Sequence, residues 1–264
     1  MSANALIDDA ARLEEKDREH FDRIAETYSR KDTVRSCRVA REYQVRRCIA
    51  SVLKETGKIG TIIEVGCGIG RAAKYLKGQY DKYIGIDQSL RLIEVARLFN
   101  ADCPAEFLCE NIKSSSLPDG IGDVVILIGA LHHMTEMDAI MGALQRIARP
   151  GAAFVALEPN RGNPLIMGLR RIRQKIDAAY SEDQRYFSRR ELIELLERHR
   201  FCEIQVQYQG YVSPPFAEVM LRPQLIFALL SRMAVAVDHA LDSHLPGALR
   251  FLSWNLLAQA RFPS

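Results

Sequence analysis

The stretch TIIEVGCGIGRAAKYL, Thr61 to Leu76, sets one carboxylate, Glu64, among β-favouring residues and follows it with Gly66, Gly68 and Gly70 at alternate positions. A strand that breaks into glycines and re-emerges as a helix brings bare backbone N–H groups close to a ligand. The spacing is G-x-G-x-G, whereas the dinucleotide fingerprint G-x-G-x-x-G places its third glycine one position later. Asp87 ends the next β-like run, YIGID, where a carboxylate can accept both hydroxyls of a ribose. That much also suits NAD, and a tight turn followed by a solvated helix cap would use the same residues. Further along, GALHHM places His132 and His133 at the end of the fourth β-like run. An imidazole there titrates near neutrality and can take a proton. Neighbours on an extended chain point to opposite sides, so one of the two histidines faces the site.

The elements that must position these groups follow from periodicity. Phe21, Ile24, Ala25 and Tyr28 fall at i, i+3, i+4 and i+7, which makes residues 1–56 a helical segment with an apolar face. From residue 59, short β-rich runs alternate with helical ones. Strands are expected at 61–65, 82–86, 105–109, 123–128 and 152–157, and helices at 71–77, 89–99 and 138–149. This alternation implies an α/β fold with a parallel sheet covered by helices on both faces. Arg149-Pro150-Gly151 reads as a helix stop, and residues 164–178 as an amphipathic helix carrying Leu165, Ile166, Leu169, Ile172 and Ile176 on one stripe with Arg170, Arg171, Arg173 and Lys175 mostly off it. SRRELIELLERHRF opens on Ser188 with Glu191 three residues later, a capping box. Two more β-like runs, 203–208 and 252–262, are separated by a long, partly helical stretch. One domain with a cap is the economical organisation: an N-terminal helical segment (1–56), a ligand-binding core (57–160), and cap helices with the last strands (161–264).

A net charge of +3 over 264 residues is too small to announce nucleic acid, and nearly half the residues are apolar. Six cysteines without a C-x-x-C pair or zinc spacing read as free thiols of a reducing compartment, and no metal site is expected. The N-terminal residues are too acidic for a signal peptide, and the apolar stretch 225–237, interrupted by Ser231 and Arg232, falls short of the ~20 residues that span a bilayer. The expectation is a cytoplasmic protein.

The glycine run, Asp87, FLCENIKSSSLPDGIGDVVILIGALHHM and LQRIARPGAAFVALEP, taken in this order, resemble the class I S-adenosylmethionine-dependent methyltransferases. The likeness is strongest to the small-molecule branch that includes the ubiquinone and menaquinone methyltransferases, and it covers residues 18–160 best. It implies the Rossmann-like methyltransferase fold with a mostly parallel sheet and a helical cap, and S-adenosyl-L-methionine as cofactor. On matching positions, Glu64, Gly66, Cys67, Gly68 and Gly70 would wrap the methionine end, Asp87 would bind the ribose, and Gln88 would flank the adenine. Asn111 stands where many relatives have Asp, contacting the adenine amine, with Ile112 beside the ring. Gly129 to His133 would line the point where donor and acceptor meet, and Tyr28 would close over the cofactor. His132 or His133 is the candidate base.

The Asp/Asn-Pro-Pro-aromatic tetrapeptide of nucleic-acid amine methylases is absent, with IGAL in its place. The reading that leads is therefore a methyltransferase for a small-molecule acceptor, lipid-like or anionic; residues 164–178 suit a cap helix packed on the domain, a guide for such an acceptor, or a peripheral membrane contact. A protein or RNA methyltransferase, or a non-catalytic cofactor-binding protein, is the alternative.

Overall fold

The computed structural model describes residues 3–176 and 185–264. Two helices open the chain, α1 (Ala3–Thr33) and α2 (Arg35–Thr56). The α/β alternation follows: β1 (Ile59–Val65), α3 (Arg71–Tyr75), β2 (Tyr80–Asp87), α4 (Leu90–Phe99), β3 (Ala105–Cys109), β4 (Gly122–Ile128), α5 (Met137–Ile147) and β5 (Ala148–Pro159). The last part holds α6 (Pro164–Ile176), α7 (Arg189–Arg198), β6 (Cys202–Gln209), α8 (Pro214–Glu218), α9 (Gln224–His244) and β7 (Asn255–Arg261).

The seven strands form one sheet in the order β3-β2-β1-β4-β5-β7-β6. The first five run parallel, and β7 is antiparallel to both of its neighbours. This is the mostly parallel, Rossmann-like sheet expected. The strand order reverses between β1 and β4, which opens a crevice beyond their C-terminal ends.

Period-two alternation sorts the side chains between two cores. Ile63, Val65, Ile84, Ile86, Val125 and Leu127 face α5 and α7, whereas Ile62, Tyr83, Val124 and Ile126 face α2, α3 and α4. Glu64 shares the parity of Ile62. Its carboxylate therefore enters the second core, where it accepts the hydroxyl of the buried Tyr83.

Several boundaries differ from the sequence expectation. Arg149-Pro150-Gly151 lies inside β5, because α5 has already stopped at Ile147 and β4 accommodates the proline through a register shift between Gly122 and Val124. Residues 247–252 form a 3-10 turn ahead of β7. The helix expected at 164–178 is seen to Ile176, with 177–178 outside the described residues. Its stripe divides: Ile166 is buried, while Leu165, Leu169 and Ile172 are exposed. The apolar stretch expected to be too short, interrupted at Ser231 and Arg232, is part of a longer helix. Both sit within continuous α9, Ser231 on its buried side, so the 19 residues Gln224–Asp242, with mean hydropathy 1.4, are long and apolar enough to cross a membrane by length and composition.

Burial pushes the Glu64 carboxyl up to about 7, with the Tyr83 hydroxyl and then Arg71 pulling the other way. A folded-state value above that of the unfolded chain contributes stability that is full below about pH 4.3 and is lost as pH rises through about 7. Glu64→Gln keeps an acceptor for Tyr83 and cannot ionise. Between about pH 5 and pH 8 the parent should lose on the order of 2–3 kcal/mol more unfolding free energy than this variant. Urea titrations at the two pH values check this, and parallel losses in the two proteins would contradict it.

Candidate cofactor cleft and active site

The ends of β1, β2 and β4 and the loops after them line one cleft, which α1 covers. Val65, Gly66, Gly68, Ile86, Asp87, Gln88, Ile112, Gly129 and His133 come from the sheet side, and Glu14, Asp17, Phe21 and Tyr28 from α1. The structure thus brings together Gly66, Gly68, Asp87, Gln88, Ile112, Gly129, His133 and Tyr28. At Gly68 (φ +54°) an added Cβ would open into the cleft, with the Tyr28 ring as its near neighbour at 3.5 Å. Bare backbone faces the cavity there.

Asp87 ends β2 with its carboxylate accepting N–H groups from Gly68 at 2.8 Å and from Ser89 at 2.9 Å. Burial raises its pKa above the ordinary aspartate value, against those backbone bonds. One bond to each oxygen leaves acceptor capacity for a ligand's hydroxyls.

Five expected residues lie elsewhere. Glu64 is turned into the core by strand parity. The Cys67 thiol is buried, directed at the strand face of Gly85. Gly70 backs onto Phe107 and Asn100, which a Cβ would strike, so its φ of +67° serves packing. The side chain of Asn111 is already engaged: its oxygen accepts the N–H of Lys113 at 2.9 Å, capping a 3-10 turn, and its amide donates to Glu14 at 3.1 Å. Glu110 and Ile112 line the cleft on either side of it.

His132 stands behind the cleft wall, its Cε1 4.0 Å from the Cβ position of Gly129. Its Nδ1 lies 2.7 Å from Oε2 of Glu158, which is fully buried near the end of β5. Glu158 also accepts the backbone N–H groups of Ala130, Leu131 and His132 at 3.2, 2.9 and 3.2 Å. Those three donors favour the carboxylate, so the imidazole is assigned as the Nδ1–H donor and Nε2 remains an acceptor. Burial pushes His132 well below the usual histidine value, and His133 and Arg170 add to the effect. Burial also pushes Glu158 up to about 7, opposed by its backbone donors. The Tyr186 ring stacks on His132 at 5.8 Å, and the Arg170 guanidinium lies 5.0 Å over Tyr186. The His133 ring lies 4.3 Å from that of His132 in the same 3-10 turn, with Nδ1 3.1 Å from Asp17 of α1 and its ring edge-on to Phe21.

Sequence reasoning missed Glu158 and the acids of α1. Glu158 is an acid closing an otherwise apolar strand, the same signal that singles out Asp87. Glu14 and Asp17 lie seven and four residues before Phe21, on the helix face already marked by Phe21 and Tyr28. Glu14 accepts from Lys113 at 2.7 Å and Thr135 at 2.6 Å, and Asp22 accepts from Ser89 Oγ at 2.6 Å.

These features fit S-adenosylmethionine. They offer bare backbone at Gly68, free lone pairs on Asp87, and apolar Ile86, Leu92 and Ile112 for a flat base. Glu14, Asp17, Asp87 and Glu110 line the same space and outnumber Arg18 there, which suits a cationic ligand better than a pyrophosphate.

Comparison with known proteins agrees. A family model described as a methyltransferase domain matches residues 63–156. A 2-methyl-6-phytyl-1,4-hydroquinone methyltransferase of Synechocystis sp. is 32% identical over 103 residues, 38% of this chain and 32% of that protein. A demethylmenaquinone methyltransferase of Symbiobacterium thermophilum is 28% identical over 151 residues, 54% of this chain and 59% of its own length. The matches thus span less than two thirds of either relative. Among solved structures, an S-adenosylmethionine-dependent methyltransferase from Thermotoga maritima superposes with a TM-score of 0.63 at 19% identity, covering 92% of this chain and 98% of that one. Residues 63–156 thus match a methyltransferase domain, and the chain shares its fold with S-adenosylmethionine-dependent methyltransferases.

Proposed function

We propose that this protein transfers a methyl group from S-adenosylmethionine to a small-molecule acceptor of lipid-like or anionic character, with His132 as general base. The observation that carries the reading is the His132–Glu158 pair beside a cleft whose backbone and carboxylate suit the cofactor. When bound, S-adenosylmethionine supplies an electrophilic methyl on a sulfonium, lost by in-line displacement. The residues of this chain align, exclude water and handle a proton. Asp87 would hold the ribose, Gly68 would let the methionine end approach the backbone, and Phe21 and Tyr28 of α1 would cover it. Glu158 fixes His132 with Nδ1 protonated, so that Nε2 can accept the acceptor's proton. The activities of the two quinone-type relatives support a small acceptor with an apolar body. Arg170 and Tyr186 beside His132 support an acceptor that carries or develops negative charge.

Calorimetry should show Asp87→Ala weakening the binding of S-adenosylhomocysteine by about 100-fold or more, the loss of two charge-assisted hydrogen bonds. Asp87→Asn retains an acceptor for Gly68 and should fall between. Parent-like affinity of the alanine variant would refute the assignment of the cleft. Transfer of label from the cofactor into an organic-extractable product would support a lipid-like acceptor, and label retained in protein or RNA would favour the alternative class.

His132→Ala should lower kcat by about 10²–10⁴-fold while leaving S-adenosylhomocysteine affinity near that of the parent. Because the pKa of His132 is depressed, its base form persists on acidification, and the acid limb of kcat/KM should lie below about 6.5. An acid limb above that value, or loss of turnover in His133→Ala alone, would move the base elsewhere.

A further inference from the structure

We propose that the outer face of α9 docks on an anionic lipid bilayer, with the helix lying in the plane of the surface. The proposal goes beyond the methyl-transfer reading and does not rest on it. Leu225, Ile226, Leu229, Leu230, Met233 and Val237 are 38–69% exposed and project from one side of the helix. At 100° per residue they occupy an arc of about 140°. The opposite side is buried through Ser231, Ala234 and Asp238. A monomer in water rarely leaves so long an apolar stripe uncovered.

The helix is tied down along its length, which favours lying on a membrane over crossing one. At its start, Gln224 Oε1 accepts the N–H of Ser36 at 3.1 Å. Further along, Asp238 accepts the N–H groups of Tyr211, Val212 and Ser213 at 2.9, 2.8 and 2.9 Å. Asp242 accepts from Tyr43 at 3.2 Å and pairs with Arg47 at 3.6 Å. A spanning helix would have to break all of these and carry both aspartates into hydrocarbon.

Charge selects the occupant. The acids of α9 are the two inward-facing aspartates, whereas Arg222, just ahead of the helix, and Arg232, beside the apolar arc, are exposed. A second copy related by two-fold symmetry would set this arginine rim against itself with no outward acid on the helix to answer it. An anionic headgroup layer answers it directly, and an apolar face rimmed by basic residues is the pattern of an interfacial helix. The geometry also brings the surface near the cleft. Gln224 is anchored where α1 passes into α2, and Lys31, three residues beyond the cleft-lining Tyr28, pairs with Glu218 of α8 at 3.2 Å.

The test is co-sedimentation of the full chain with vesicles of equimolar phosphatidylcholine and phosphatidylglycerol, and with phosphatidylcholine alone. The parent should pellet with the anionic vesicles, less so at high salt, and bind the neutral ones more weakly. The double variant Leu229→Glu, Met233→Glu should partition at least about tenfold less, with unchanged circular dichroism and unchanged S-adenosylhomocysteine affinity. Arg222→Gln with Arg232→Gln leaves the packed face alone and should remove the salt-sensitive part of binding. Parent protein that stays in solution with both vesicle types overturns the proposal. So does a parent that dimerises by light scattering, becomes monomeric in the double glutamate variant and never pellets: the face is then a contact between copies.

Discussion

One carboxylate, at the last residue of β2, ties together the loops that form the cleft. Asp87 draws in the N–H of Gly68 from the turn after β1 and that of Ser89 from the turn after β2. Ser89 in turn caps α4 by accepting from Leu92 and donates its hydroxyl to Asp22 of α1. Burying an acid is unfavourable, and the raised pKa of Asp87 records the cost that these backbone donors partly offset. The clamp sets the strand ends, the glycine turn and the covering helix in register before any ligand arrives. A ligand that uses the remaining lone pairs finds the acceptor already aimed, which reduces the ordering cost of binding.

The acids of α1 act on the same cleft from the opposite side. Glu14, Asp17 and Asp22 reach the loops after β3, β4 and β2 respectively, so the helix lies across all three strand ends. Its apolar face packs Ala25, with Phe21 and Tyr28, against Ile69 and Leu92. Behind it, the buried Arg41 holds Asp32 at 2.9 Å and the carbonyl of Ala217 at 2.7 Å, fixing the end of α1 to α2 and α8. A charged pair buried this deeply gains little net stability over apolar packing, but it fixes where the helix ends. The position of Tyr28 over Gly68 follows from that anchor.

The sequence made legible what depends on local pattern. Alternating β-rich and helical runs gave the sheet, Ser188 and Glu191 form the capping box expected of them, and the glycine turn and Asp87 meet in one cleft. What it obscured depends on which way a side chain faces after folding. Glu64 looks like a ligand from its place before the glycines, yet strand parity, visible in the neighbouring Ile62, sends it into the core. Asn111 looks available until its oxygen is seen capping the next turn. The pairing of His132 with Glu158 joins residues from two adjacent strand ends, and no single stretch of sequence contains it. Ser231 and Arg232 look like an interruption only when the helix is read as a line; on the cylinder, Ser231 faces inward and Arg232 outward beside the apolar arc.

The electrostatic character changes from the cleft to the layer behind its wall. Along α1 and β2 it is acidic, with Glu14, Asp17 and Asp87. Behind the wall, past His132 towards α6, it turns basic and aromatic, with Arg170 over Tyr186. A cation is favoured on the first side and an anion on the second. If the proposed reaction runs between them, donor and deprotonated acceptor carry opposite charges that cancel in the displacement, and a site shielded from water favours such a step over the separated ions. The burial that depresses His132 belongs to this arrangement. A neutral imidazole adds no cation of its own beside Arg170, and Glu158 stands ready to compensate the charge that appears when Nε2 takes up the proton.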